Sequence, residues 1–183
     1  MEWLHIYNPW WRGREAIHSD ELIQKWEESN VRVYPKLYEK ILEFINQKRW
    51  GSIFIFRGPR QVGKTTLLKL IIRELLERGY SPDAILYLPL DAPKIVDVRD
   101  FYEAMKYFLS RARLHSQERT IIFLDEVSAL GDWSRIIKGM IDSGELKNSI
   151  LVVTGSHAIE VLRGEEKLSG RKGEYLGLEL GSS

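Results

Sequence analysis

The chain has 183 residues, 44% of them hydrophobic and 29% charged, the balance of one ordinary folded domain rather than of a disordered segment. Its 27 Lys and Arg against 26 Asp and Glu leave a net charge of +1, which does not point to a strongly basic nucleic-acid module. Cysteine is absent, which removes disulfides, thiolate nucleophiles and Cys-ligated zinc together, and the four histidines (His5, His18, His115, His157) have no metal-ligand spacing.

The opening MEWLHIYNPWW carries an acid at position 2 and lacks the apolar stretch of a signal peptide. No later run approaches the ~18 apolar residues of a membrane helix, so a cytoplasmic protein without a membrane partner is expected. Five of the six tryptophans (Trp3, Trp10, Trp11, Trp26, Trp50) precede residue 51, and only Trp133 follows. This front-loading suggests that residues 1–50 form a Trp-rich segment that packs onto the following domain or onto a partner. A helix begins at Pro35, with Leu37, Tyr38, Ile41, Leu42 and Ile45 at helical spacing. SIFIF (52–56) reads as a strand buried on both faces. The next helix carries Leu67, Leu68, Ile71, Ile72, Leu75 and Leu76, and Gly79 stops it.

AILYLPL (84–90) is a second strand. Pro89 cannot donate to a ladder, which places that strand at a sheet edge or ends it there. Asp97 caps a helix that buries Phe101, Tyr102, Met105, Phe108 and Leu109. TIIFL (120–124) is a third strand, a helix entered through Asp132 follows, and SILVV (149–153) is a fourth strand before a short helix around 159–162. The closing LGLELGSS is small and polar at its last residues and reads as a fraying terminus or an engineered scar. Strands alternating with amphipathic helices mean βαβ crossovers, hence an α/β protein with a parallel sheet covered on both faces.

The informative stretch is GPRQVGKT (58–65), which fits G-x-x-x-x-G-K-[ST] and sits between a buried strand and a strong helix. In such a loop Gly58 and Gly63 free the backbone to aim N–H groups at an anion, and the helix N-terminus adds positive charge. Gly58, Pro59, Arg60, Gln61, Val62, Gly63, Lys64, Thr65 and Thr66 are the candidate nucleotide-binding residues, with Lys64 on the β- and γ-phosphates and Thr65 on Mg²⁺. Asp125 of IIFLDE (121–126) lies sixty residues after Thr65. The strand end puts Asp125 in position to hold Mg²⁺ and Glu126 to deprotonate an attacking water. No DxxG or NKxD guanine signature occurs, and an adjacent Glu base is unusual for a small-molecule kinase, so ATP hydrolysis is favoured.

Phosphate loop, Asp-Glu strand and the later VVTGS (152–156) come in the order of AAA-type P-loop ATPases. More narrowly, GPRQVGKTT, FLDEV leading to GDWSRIIKGMIDSG, TGS and LSGR (168–171) resemble the prokaryotic AAA/STAND-like ATPases over about residues 51–171. The resemblance implies a P-loop NTPase three-layer α/β/α sandwich with sheet order 5-1-4-3-2 and an ATPase core at 51–183. Proteins the chain resembles usually continue into a lid and effector domains, so the chain reads either as an N-terminal ATPase-domain fragment without them or as an unusually minimal member. The resemblance makes Thr154 a polar sensor near the γ-phosphate, although a Thr-Gly-Ser at a strand end is also a routine turn.

Arg171 is an arginine-finger candidate that would act across a homo-oligomer interface, set against a solvated face of alternating charges around it. LSGRK also resembles the ABC-transporter signature, but it follows the acidic strand instead of preceding it. His157 reads as a solvent-facing residue. Trp10 and Trp11 either stack on adenine or, the better reading, bury against the domain. Asp91 reads as a turn residue. The expected function is Mg²⁺-dependent ATP hydrolysis driving a conformational switch. The alternative is an ATP-regulated module that binds protein or DNA with little hydrolysis.

Overall fold

The computed structural model describes residues 1–30, 32–57, 63–159 and the strand 175–179. Its centre is a five-stranded sheet formed by β1 (Ser52–Phe56), β2 (Ile85–Pro89), β3 (Thr120–Asp125), β4 (Ser149–Thr154) and β5 (Tyr175–Glu179), in the order β2-β3-β4-β1-β5. The first four strands are parallel and buried along their whole length, as aliphatic runs covered on both faces require. β2 is an edge strand and ends at Pro89.

The strand order is the expected one, with one correction to the all-parallel sheet. β5 runs antiparallel to β1, with Gly177 opposite Phe54, and it arises from residues read as a frayed end. Gly177 is tightly set: a Cβ there would lie 3.2 Å from the ring of Phe44.

Helix α4 (Lys64–Glu77) carries the chain from β1 to β2, whereas α5 (Val98–Leu114) and α6 (Trp133–Asp142) return it through β3 to β4. Right-handed crossovers running in opposite directions put α4 on one face and α5 with α6 on the other. Asp97 and Asp100 form a reciprocal capping box at the start of α5, which explains the sharp entry. α3 (Lys36–Asn46) and α2 (Glu21–Glu28) pack with α4. Asp20 caps α2 through the N–H groups of Leu22 and Ile23.

Residues before α2 wrap the exposed side of β2. α1 (Glu2–Tyr7) leads into two short 3₁₀ turns, Pro9–Trp11 and Arg14–Ser19. Asn8, fully buried, accepts from the Tyr87 N–H at 2.6 Å and donates to the Tyr87 carbonyl at 2.9 Å. Both Trp10 and Trp11 donate their indole N–H to the Ile85 carbonyl, at 3.1 and 2.8 Å. Trp11 then stacks on Phe108 of α5 under the Arg111 guanidinium. A sheet edge leaves N–H and C=O groups unpaired, and here side chains take the place of a sixth strand. Both tryptophans therefore belong to the core, and their indole N–H groups are used in closing the edge. No helix among the described residues is long and apolar enough to cross a membrane.

Candidate nucleotide and metal site

The parallel register brings three strand ends together. Pro89 lies opposite Asp125, and Leu124 lies opposite Val153, so Asp125 and Thr154 are the next residues along the same ladder. Phe56, the last residue of β1, pairs with Thr154, and the phosphate-loop segment follows it directly. The carboxyl ends of β1, β3 and β4 and the start of α4 thus share one rim, the ligand side of such a sheet.

Asp125 is buried at the centre of this rim and accepts three hydroxyl hydrogen bonds. Thr65 and Tyr87 donate to Oδ2 at 2.6 and 2.7 Å, and Thr154 donates to Oδ1 at 2.6 Å. Thr154 also accepts from the Glu126 N–H at 3.0 Å, so its hydroxyl is fixed in both directions. Lys64, the first residue of α4, forms an ion pair with Glu126 at 2.5 Å, with side chains 27% and 35% exposed. Gly63 stands at the N-cap with φ −57° and ψ 151°, a conformation open to any residue, and supplies no side-chain cap. A Cβ there would meet nothing closer than Thr66 Oγ1 at 4.0 Å, so neither the backbone nor crowding among the described residues demands glycine. Thr66 lies in the same first turn.

Glu126 takes a left-handed conformation, φ 52° and ψ 49°, which a residue with a Cβ adopts at a cost of about 1–3 kcal/mol. Two features hold it there. Its carbonyl accepts from the Ala129 N–H at 3.0 Å in the 3₁₀ turn Val127–Ala129, and its own N–H is taken by Thr154. That turn presses on the loop after β4. A Cβ on Gly155 would lie 2.8 Å from Ser128 Oγ and 2.8 Å from Val127 Cγ2, so only glycine fits. The His157 N–H donates to Ser128 Oγ, while the residue itself faces solvent.

Tyr87 also reaches this rim, although no sequence motif marks it. Burial, and after it the Asp125 carboxylate, push its hydroxyl well above its ordinary pKa range, so it acts as a donor. Its ring lies under the Lys69 ammonium, 4.5 Å from the centroid, and Lys69 is buried and paired with Asp20 at 2.8 Å. The one available signal was a phenol in an otherwise aliphatic strand, since a buried O–H needs a partner. Gly58, Pro59, Arg60, Gln61 and Val62 lie outside the described residues, as do Arg171 and the rest of LSGR. Asp91 follows β2 in an exposed turn.

A family model described as "AAA domain" matches residues 51–180, which takes in every strand and all the site residues named from Lys64 to Thr154. The chain belongs to the AAA domain family. This AAA chain is also similar to an uncharacterized protein of Methanocaldococcus jannaschii, 28% identical over 129 residues. That stretch covers 70% of the chain but only 26% of the relative, so the chain spans about a quarter of the relative's length. A chain from a solved structure on the structural basis for katanin self-assembly aligns at 16% identity with a TM-score of 0.45. The alignment covers 79% of the AAA chain and 56% of that one. Asn8, Trp10 and Trp11, which seal the edge of β2, precede the region the family model matches.

The donors at the rim fit a small hard cation. Thr65 and Asp125 offer a hydroxyl and a carboxylate, the all-oxygen ligands that Mg²⁺ takes when it is bound together with substrate phosphates. Thr65 already directs its proton to Asp125, which leaves its oxygen lone pairs available to a cation.

Proposed function

We propose that the chain is a Mg²⁺-dependent ATPase whose hydrolysis drives a conformational switch. The observation that carries this reading is the convergence of Lys64 and Thr65 from α4, Asp125 and Glu126 from the end of β3, and Thr154 from the end of β4 onto one rim. Membership of the AAA domain family supports nucleotide as the ligand. Thr65 and Asp125 would hold Mg²⁺, which when bound neutralises charge on the phosphate oxygens.

The chain's own residues carry the remaining roles. Lys64 exchanges its carboxylate partner for phosphate oxygens when triphosphate enters. Glu126, relieved of that ion pair, accepts a proton from the water that attacks the γ-phosphorus. The bond from that phosphorus to the oxygen it shares with the β-phosphate breaks, and ADP and phosphate leave. Thr154 keeps the Asp125 carboxylate and the Glu126 backbone in fixed relation while the side chain of Glu126 is released. The Lys64–Glu126 pair thus keeps the base occupied until a phosphate competes for its lysine.

Two substitutions test the proposal. Lys64→Ala should abolish saturable binding of a fluorescent ATP analogue. Glu126→Gln should retain that binding while steady-state phosphate release falls by about 10²–10⁴-fold. Unchanged affinity in Lys64→Ala would remove the nucleotide assignment. Unchanged turnover in Glu126→Gln would remove the base, whereas wild-type turnover no higher than that of Lys64→Ala would favour an ATP-regulated binding module instead.

A further inference from the structure

We propose that Tyr87 is a positioning residue for the metal-holding carboxylate of Asp125, and that the N-terminal segment sets Tyr87 through Asn8 and Lys69. This inference rests on the assignment of Asp125 as a metal ligand and extends it to a strand and a segment outside the phosphate-loop and Asp-Glu motifs.

Tyr87 lies opposite Phe123, so Asp125 is its diagonal neighbour two residues along β3. That separation is within reach of an aromatic side chain but not of a short one. The Tyr87 hydroxyl meets Oδ2, the same oxygen that receives Thr65, while Oδ1 receives Thr154. A carboxylate held by only two threonines could still swing Oδ2 in the direction that Tyr87 blocks. With three donors its plane is fixed, and the lone-pair direction left over is set for a cation.

Tyr87 is itself held at three points, none of them ordinary for a strand residue. Asn8 pairs with both its backbone N–H and its carbonyl, replacing the absent neighbouring strand, and Asn8 Nδ2 also donates to the Leu4 carbonyl. Lys69 sits over its ring and is fixed by Asp20, the residue that also caps α2. Lys69 belongs to the same helix as Thr65, one turn further on. Movement of residues 8–20 is therefore transmitted to Asp125 along contiguous contacts, with Tyr87 as the last link.

A purely structural hydroxyl, satisfied by the nearest acceptor, would affect folding without affecting metal affinity. The test separates the two using Mn²⁺, whose free concentration is read by electron paramagnetic resonance. Wild-type chain, Tyr87→Phe and Asn8→Ala are each titrated with Mn²⁺ in the presence of ADP, with Lys64→Ala protein as the background for Mn²⁺ bound by ADP in solution. ADP affinity is measured separately in EDTA, and each variant's thermal midpoint is recorded. The expectation is that Tyr87→Phe raises the Mn²⁺ Kd by about tenfold, the lower end of what loss of such a ligand-orienting partner does. Metal-free ADP affinity should stay within about twofold. Asn8→Ala, which leaves every rim side chain in place, should raise the Kd in the same direction by a smaller factor.

A lowered thermal midpoint with Mn²⁺ affinity equal to wild type in both variants would overturn the positioning role alone. Wild-type protein that binds no Mn²⁺ above the Lys64→Ala background would overturn the metal assignment and this inference together. Should Tyr87→Phe fail to fold, Asn8→Ala decides by the same criterion.

Discussion

Thr154 carries two hydrogen bonds that no hydrocarbon can replace. Its hydroxyl gives its proton to Asp125 and takes one from the Glu126 backbone, so one fully buried residue joins the proposed metal ligand to the proposed base. Thr154→Val is nearly isosteric, which makes it a clean probe. It leaves one buried N–H and one carboxylate oxygen short of a partner, a loss of about 1–3 kcal/mol for each group left unsatisfied. We expect a lower urea midpoint at unchanged slope, together with reduced ATP turnover. Thr154→Ser should recover most of both, since it keeps the hydroxyl and loses only a methyl. Equal stability of the valine variant in urea melts would show that water takes over both bonds. The threonine stands out in the sequence only through the family resemblance carried by VVTGS, because Thr-Gly-Ser at a strand end by itself reads as a routine turn. Tyr87 does not stand out, because a tyrosine among Ile, Leu and Leu reads as core. Asn8 was less legible still: in Asn-Pro it reads as a turn residue, and nothing local reveals that its amide matches a strand edge seventy-nine residues away.

The elements divide along the same physical line. β1 to β4 could be read from sequence because parallel strands covered on both faces need unbroken apolar runs, and α4 and α5 because each keeps a long apolar stripe with a clear start. β5 could not, since its Gly177 interrupts the pattern that would announce a strand and is there because Phe44 leaves no room for a Cβ. α2 is only eight residues long, so its Asp20 cap and its Ile23 and Trp26 contacts gave too short a window for periodicity to speak. Between β3 and β4 the decisive contact is the packing of Gly155 on the 3₁₀ turn Val127–Ala129. Gly155→Ala must push that turn away, and the turn carries the left-handed Glu126 at its entrance. We expect a stability loss of about 1–3 kcal/mol, the usual range for overpacking. A fall in turnover should accompany it, with metal-free nucleotide affinity preserved because Lys64 and Thr65 lie on a different element. Calorimetry and isothermal nucleotide titration read the two parts separately. Wild-type turnover in the alanine variant would mean that the turn does not have to hold Glu126.

At the scale of the whole molecule, the family match starts at residue 51, yet the core does not. Leu4, Trp10, Trp11, Ile17, Ile23, Leu37, Ile41 and Ile45 are all buried, and they share one hydrophobic cluster with the sheet. Removing residues 1–50 would expose the aliphatic surface beneath them and would free Ile85 O, Tyr87 N–H and Tyr87 O along an edge strand of high β-propensity. An unpaired apolar edge is a template for association with other chains. Loss of Trp10 alone should cost about 3–5 kcal/mol, the usual cost of deleting a large buried aromatic side chain, which is a large share of the 5–15 kcal/mol that stabilises a typical domain. We therefore expect residues 51–183 produced alone to elute as aggregates in size-exclusion chromatography and to melt without a cooperative transition. The full chain should melt in one transition, because the segment and the sheet share a single core. Adding residues 1–50 back as a separate peptide offers little rescue on this argument, since ordering fifty free residues sets a large entropic cost against the same contacts. A monomeric 51–183 with a cooperative melt near that of the full chain would show that the sheet stands without its seal. In that case the N-terminal segment would be an accessory that reports on the site rather than part of what builds it.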